Sequence, residues 1–420
     1  MSERADSGRE VVITGVGAVS PNGMGAEAFA LACVQGRSGL SRADEYPEPK
    51  LKTSAVGAVR DFDPLSVLDA GEVKRLPRLV PMALAASREA LAMSGFRPAE
   101  DDLDARRGVA VLLGTGGGGL AFVEQQYASF FGVARGVSLY AITAGTHGNL
   151  SSELSIALGL RGPSHVISTG CASSTDAIGY AMLLIRSGIV PMALVGGADA
   201  PISHGILHAF ERMKVVSTRC WDDPRRASRP FNLDRDGFVL GEGAWMFVLE
   251  SKRHAEQRGA SVLAELLGYG STCDAFHRVQ IAPDLVESAR AIELALRDAG
   301  VSGDDIEYVN LHGTSTDLND RLETAAMHRA LGAAARRIPM SSTKSMIGHP
   351  QGACGAAGLA ATVLCLGRGM IHPTINLELP DLRCDLDYTA NEARPTKARL
   401  ALCNCIAFGS KNSALVVRVR

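Results

Sequence analysis

The chain has 420 residues, 46% hydrophobic and 21% charged, with a formal net charge of −2. That length allows a substantial core shared by two domains, and the balanced charge without long basic tracts argues against nucleic-acid binding. The opening MSERADSGRE is charged where a secretion signal is apolar, and no apolar run reaches the roughly 18 residues of a membrane span, so a cytoplasmic protein is expected.

In chain order, residues 11–15 (VVITG) read as a strand and 26–36 as a helix closed by Gly36, a natural C-cap. A second helix is expected over 81–95. Residues 108–116 read as a strand running into a glycine loop, and 192–199 as another strand. The glycine loop 114–120 lacks the Lys-Ser/Thr ending of a phosphate-binding loop, so nucleotide binding is not expected there. The second half repeats the order. Residues 261–270 parallel the first strand, 285–300 form a strong helix, and 306–314 parallel the strand into the glycine loop. Residues 337–369 parallel 165–188, and 400–419 parallel the strand at 192–199. β-branched runs alternating with Ala-rich or amphipathic stretches indicate layered α/β architecture. A repeat this long indicates duplicated domains rather than a solenoid, with the seam in polar 251–260 and halves of 1–255 and 256–420.

Nine cysteines, an odd number, include no CxxC pair and no His and Cys close-set at zinc-ligand spacing. Neither a disulfide framework nor a metal site is expected, and most of these thiols are expected as small core residues. Cys171 stands apart, because a β-branched strand meets Gly170, then Cys171, then small residues opening a helix with Asp176 near its start. A thiol beside the positive end of a helix can be acidified. The pattern alone fits a buried structural cysteine at least as well. Two further segments change the weighing. His312 follows an apolar strand and precedes a Gly-Thr-Ser-Thr loop, and His349 enters a glycine-rich turn five residues after Lys344. Loops at strand ends of two α/β halves suit one shared cleft.

The motifs TGCASS, HGTSTDLND, STKSMIGH and SRPFNLDRDGFVLGEGA together resemble the elongating β-ketoacyl-[acyl-carrier-protein] synthases, including type II polyketide ketosynthase subunits, from about residue 10 to 418. The resemblance implies a duplicated thiolase-like fold with five αβαβα layers. It implies a decarboxylative condensation of an acyl group held on Cys171 with malonyl-acyl carrier protein. In it Cys171 matches the nucleophile, and His312 and His349 match the pair that governs decarboxylation. Lys344 and Glu323 match the neighbouring lysine and acid of that network. Phe408 matches the gatekeeping aromatic whose N–H completes the oxyanion hole with that of Cys171, and Thr314 and Thr316 match the threonines that hold the phosphopantetheine arm. No metal or separate cofactor is implied, since the carrier protein brings the arm. The implied partners are that carrier protein, in acyl and malonyl forms, and a second subunit, either identical or chain-length-factor-like. An acidic carrier calls for a basic docking face, for which Lys74, Arg75 and Arg78, or Arg225, Arg226 and Arg229, are candidates.

Several positions depart from the pattern. The gate reads Ile406-Ala407-Phe408-Gly409-Ser410, with side chains where glycines are usual, which predicts a less free gate. Val279 replaces a pantetheine-facing Thr, and Asp317 and Gln351 replace the commoner Pro or Leu. This drift favours a specialised polyketide or polyene ketosynthase over a housekeeping fatty-acid enzyme. Two rivals remain: a non-catalytic chain-length-factor-like subunit, which typically lacks the Cys, and an ester- or amide-forming acyltransferase on the same scaffold.

Overall fold

The computed structural model describes residues 10–44, 49–133, 136–219 and 222–420. The charged N-terminal residues 1–9 and Cys220 lie outside them. Ten strands form one twisted path: Val11–Ser20 (β1), Val109–Gly114 (β2), Ser164–Ile167 (β3), Met192–Asp199 (β4), Gly243–Ser251 (β5), Ala264–Cys273 (β6), Tyr308–Asn310 (β7), Met340–Ser341 (β8), Leu400–Ala407 (β9) and Lys411–Val419 (β10). Their order is β8-β7-β9-β10-β6-β1-β5-β4-β2-β3. The first five strands and the last five have the same spatial order and the same pattern of parallel and antiparallel neighbours. The two sets join where β1 pairs antiparallel with β6, Val12 facing Glu265.

Helices Ala26–Val34 (α1), Leu79–Ser94 (α2), Ser173–Arg186 (α3), Val286–Ala299 (α4), Asp317–Leu331 (α5) and Cys354–Leu366 (α6) complete the layers. α2 covers β1 and β5 on one outer face, and α4 covers β6 and β10 on the other. Between the two five-stranded sets lie α3 and α6, packed on each other. This is the five-layered αβαβα arrangement. α3 shows why. Its Ile178, Ala181, Met182 and Ile185 recur at helical spacing and are buried, while Tyr180 and Leu183 are exposed. Burial of each large aliphatic side chain there contributes about 1.5–3 kcal/mol. Close approach needs small residues. A Cβ on Gly355 of α6 would lie 2.0 Å from Thr175 Oγ1 of α3.

Some boundaries differ from the sequence reading. β1 runs five residues past Gly15, because Gly15 and Gly17 seat α2 rather than end the strand: a Cβ at Gly15 would lie 2.0 Å from the Ala90 carbonyl oxygen. β5, not foreseen as a strand, is buried between β1 and β4. Residues 400–419 form a hairpin, β9 and β10, turning at Phe408-Gly409-Ser410, rather than one strand. Gly409 and Ser410 both have positive φ, 83° and 63°, which provides the reversal.

Candidate active site

The first half delivers Cys171 from the turn after β3. Gly170 takes the left-handed conformation (φ 65°) and aims the next residue at the start of α3. Ser173 Oγ donates to the Gly170 carbonyl oxygen and accepts from Thr169 N, closing the turn on itself. Asp176, also buried, accepts from Thr169 Oγ1 at 2.5 Å and Tyr269 OH at 2.8 Å, tying the turn to β6.

The second half delivers both histidines. His312 lies two residues beyond β7, where Glu323 of α5, fully buried, accepts from the N–H groups of His312 and Gly313, each at 2.7 Å, and from Asn404 Nδ2 at 2.7 Å. Burial pushes the Glu323 carboxyl up, and those three donors pull it back. Lys344 Nζ donates to the His312 carbonyl oxygen at 2.6 Å. Lys344 and Glu323 therefore hold the backbone of the histidine turn and are not among the cavity-lining residues.

His349 is gripped by residues of the first half. Its N–H donates to the Val239 carbonyl oxygen at 2.7 Å, and its carbonyl accepts from Gly241 N at 3.0 Å. The same segment donates from Arg229 N to Ser315 Oγ and from Arg235 Nε to the Thr316 carbonyl oxygen. The SRPFNLDRDGFVLGEGA motif thus braces both histidine loops. The Gln351 N–H donates to His349 Nδ1 at 3.1 Å, which leaves the proton of the neutral ring on Nε2.

These pieces meet in one place. Cys171 Sγ and a ring nitrogen of each histidine lie within 4.8 Å of one another, and the two rings cross edge to face with centroids 5.3 Å apart. They line the floor of a cavity of about 380 Å³. Lys214, Gln280 and Leu318 are exposed around it, so the sulfur faces a space with access to solvent. Thr314 and Thr316 line the same cavity, their hydroxyls 2.9 Å apart. Phe408 lines it too, as does Phe238, whose ring meets His349 edge-on at 5.1 Å. Phe238 was not singled out from sequence; its place in the bracing motif was the signal.

Burial lowers the pKa of both histidines well below the imidazole value, and the Lys344 ammonium adds to the effect. Both rings are neutral near pH 7. At Cys171 burial pushes the thiol up, nearby Cys354 adds to the rise, and Lys344 and the Phe408 N–H act against it.

Two other expectations meet the geometry differently. Arg229 is buried, with its guanidinium paired to Asp234 and Glu378, so it is not part of a docking face. Arg226 also pairs with Glu378, Arg225 with Asp223, and Arg78 with Glu242. The glycine loop after β2 turns its amides inward: Asp199 accepts from Gly116 N, Gly117 N and Gly352 N at 2.7–2.9 Å, linking this loop to the His349 turn.

The sequence matches the family "Beta-ketoacyl synthase, N-terminal domain" over residues 8–255 and "Beta-ketoacyl synthase, C-terminal domain" over 263–378. The chain belongs to the beta-ketoacyl synthase family. As a member it is an acyl-transferring condensing enzyme. It is 39% identical over 420 residues to the tetracenomycin polyketide synthase ketoacyl synthase alpha subunit of Streptomyces glaucescens, covering 97% of each chain. It is 38% identical over 412 residues to a 3-oxoacyl-[acyl-carrier-protein] synthase 2 of Synechocystis, covering 98% of each. Among solved structures, a ketosynthase of a type II polyketide system, in complex with its acyl carrier protein and bound to a hexaketide, superposes with a TM-score of 0.89 at 33% identity, covering 98% of this chain and 100% of that one. The ishigamide ketosynthase/chain length factor gives 0.89 at 32% identity, covering 98% and 99%.

Proposed function

We propose that this ketoacyl synthase elongates a chain held on Cys171, in a type II polyketide or polyene system, with malonyl-acyl carrier protein as extender. The observation that carries the reading is the meeting of one thiol and two neutral imidazoles at the floor of a single cavity. Cys171 Sγ attacks the acyl thioester, its proton passes to a neighbouring imidazole, and the carrier leaves as a thiol. On this reading the N–H groups of Phe408 and Cys171 donate to the oxyanion formed at that carbon, an interaction worth about 3 kcal/mol. The malonyl arm then enters past Thr314 and Thr316. Loss of CO₂ leaves an enolate, to which His349 presents its Nε2–H. The enolate carbon attacks the acyl carbonyl, the C–S bond to Cys171 breaks, and the thiolate takes up one proton from solvent. The steps call on no group beyond the carrier's own arm.

Exposed apolar side chains over 120–156, among them Phe131, Leu139 and Ile142, support a second subunit against this face, identical or chain-length-factor-like. Lys74 and Arg75 remain the candidates for carrier docking. No helix among the described residues is long and apolar enough to cross a membrane.

The altered gate supports specialisation. Ser410 Oγ donates to the His277 carbonyl oxygen at 2.8 Å and accepts from the N–H groups of Phe276 and His277, pinning the hairpin tip to the neighbouring loop. The test is CO₂ release from malonyl carrier protein by enzyme charged with saturated or polyunsaturated acyl groups. Release with formation of a β-ketoacyl carrier, faster with unsaturated or oxygenated chains, is expected. Acylation without CO₂ release would instead mark an ester- or amide-forming transferase, and a preference for plain saturated chains would remove the specialised reading.

A further inference from the structure

On the edge of His312 that carries Nδ1, three donors converge from separate segments: His312 after β7, Cys354 opening α6, and Cys405 in β9. Cys354 Sγ and Cys405 Sγ are 3.6 Å apart. Cys405 Sγ lies 3.5 Å and Cys354 Sγ 4.0 Å from His312 Nδ1. All three side chains are buried and both thiols are free. The condensation described above uses neither of these cysteines.

We propose that Cys354, Cys405 and His312 Nδ1 form a binding site for one thiophilic divalent cation of the zinc class. Tetrahedral zinc, with Zn–S of about 2.3 Å and Zn–N of about 2.0 Å, sets its sulfurs about 3.8 Å apart and sulfur from nitrogen about 3.5 Å. The observed edges of 3.6, 3.5 and 4.0 Å lie within about half an ångström of that triangle. A fourth donor is in reach. The Cys171 carbonyl oxygen now accepts from Cys405 Sγ at 3.1 Å and from Cys354 Sγ at 3.2 Å. On binding, two S–H bonds break, two S–metal bonds form, and two protons leave to solvent. The two thiolates cancel the charge of the ion, which makes its burial tolerable. Coordination at Nδ1 leaves the ring proton on Nε2. His312 then becomes a fixed N–H donor that can no longer accept a proton from the cavity side. Sequence spacing hides such a site, because its ligands come from three distant segments.

The test is an anaerobic titration of the reduced, full-length protein with Co²⁺, followed by Zn²⁺. One equivalent of cobalt with thiolate-to-metal charge-transfer absorption, displaced by zinc, is expected. Cys354→Ala and Cys405→Ser each weaken cobalt binding by about 100-fold or more, whereas Cys171→Ala retains the absorption. Circular dichroism melts identify folded variants, and Cys405→Ser, nearly isosteric, keeps the test valid if Cys354→Ala does not fold. The proposal is overturned if folded wild type shows no charge-transfer band. It is equally overturned if the band survives in folded Cys405→Ser and vanishes in Cys171→Ala, which would put the ion on Cys171, His312 and His349.

Discussion

Two strand-to-helix elbows meet at the centre of the molecule, one in each half. In the first, residues 168–172 carry the chain from β3 through Gly170 and Cys171 into α3. In the second, residues 342–353 separate β8 from α6, and that longer stretch holds Lys344 and His349 before the helix opens with Cys354. Cys354 Sγ donates to the Cys171 carbonyl oxygen, and Ala356 N donates to Ser174 Oγ, so the elbows touch. The strand frame repeats, but the chemistry comes from the difference. A short elbow presents a nucleophile; the long one presents the groups that manage charge around it.

The largest expected effect follows from breaking the long elbow. His349→Ala should slow decarboxylation by about 10²-fold or more, measured as CO₂ release, while acyl transfer to Cys171 falls less. Equal loss in both would place His349 in the first step as well. Next is the crossing of the elbows. Gly355→Val puts a side chain where a Cβ already lies 2.0 Å from Thr175 Oγ1. It should cost about 3 kcal/mol in chemical denaturation, and an unchanged midpoint would show that α3 and α6 can separate.

A smaller effect concerns three buried histidines of the second half. Burial holds His312 and His349 well below the ordinary imidazole value and brings His372 down to about 4. Above a pH of about 6.5 the rings are unprotonated in both folded and unfolded chains. As pH falls below that, the unfolded chain takes up protons first, so stability should drop steadily toward pH 4. Thermal melts across that range check this; a melting temperature flat between pH 6.5 and 4.5 would contradict it. Smallest is Ser410→Gly, which relieves a positive φ and removes the hydroxyl that pins the gate. Stability should change by less than about 1 kcal/mol, while the rate of acyl loading rises several-fold in stopped-flow assays.

The repeated frame was legible in the sequence because strand runs, glycine loops and Ala-rich helices recur in one order. Cys171, His312 and His349 were legible through the motifs around them, and the fold brings them to one cavity. Less legible were features that depend on partners far along the chain. The thiol at a helix start suggested acidity, yet the surrounding apolar side chains, invisible in a local pattern, push it the other way. Arg229 looked like any surface arginine in a basic run, while the fold buries it against Asp234 and Glu378. The bracing of His349 by Val239 and Gly241, and the grouping of Cys354 with Cys405, join residues more than fifty positions apart.

The central claim is that the short elbow carries the one sulfur that accepts the acyl group. Intact-protein and peptide mass spectrometry after incubation with acyl carrier protein tests it most directly. One acyl adduct per chain on the peptide holding Cys171, absent from Cys171→Ala and present in Cys354→Ala, is the expected result. An adduct on Cys354 or Cys405, or none on wild type under conditions that charge a known ketosynthase, would contradict the account.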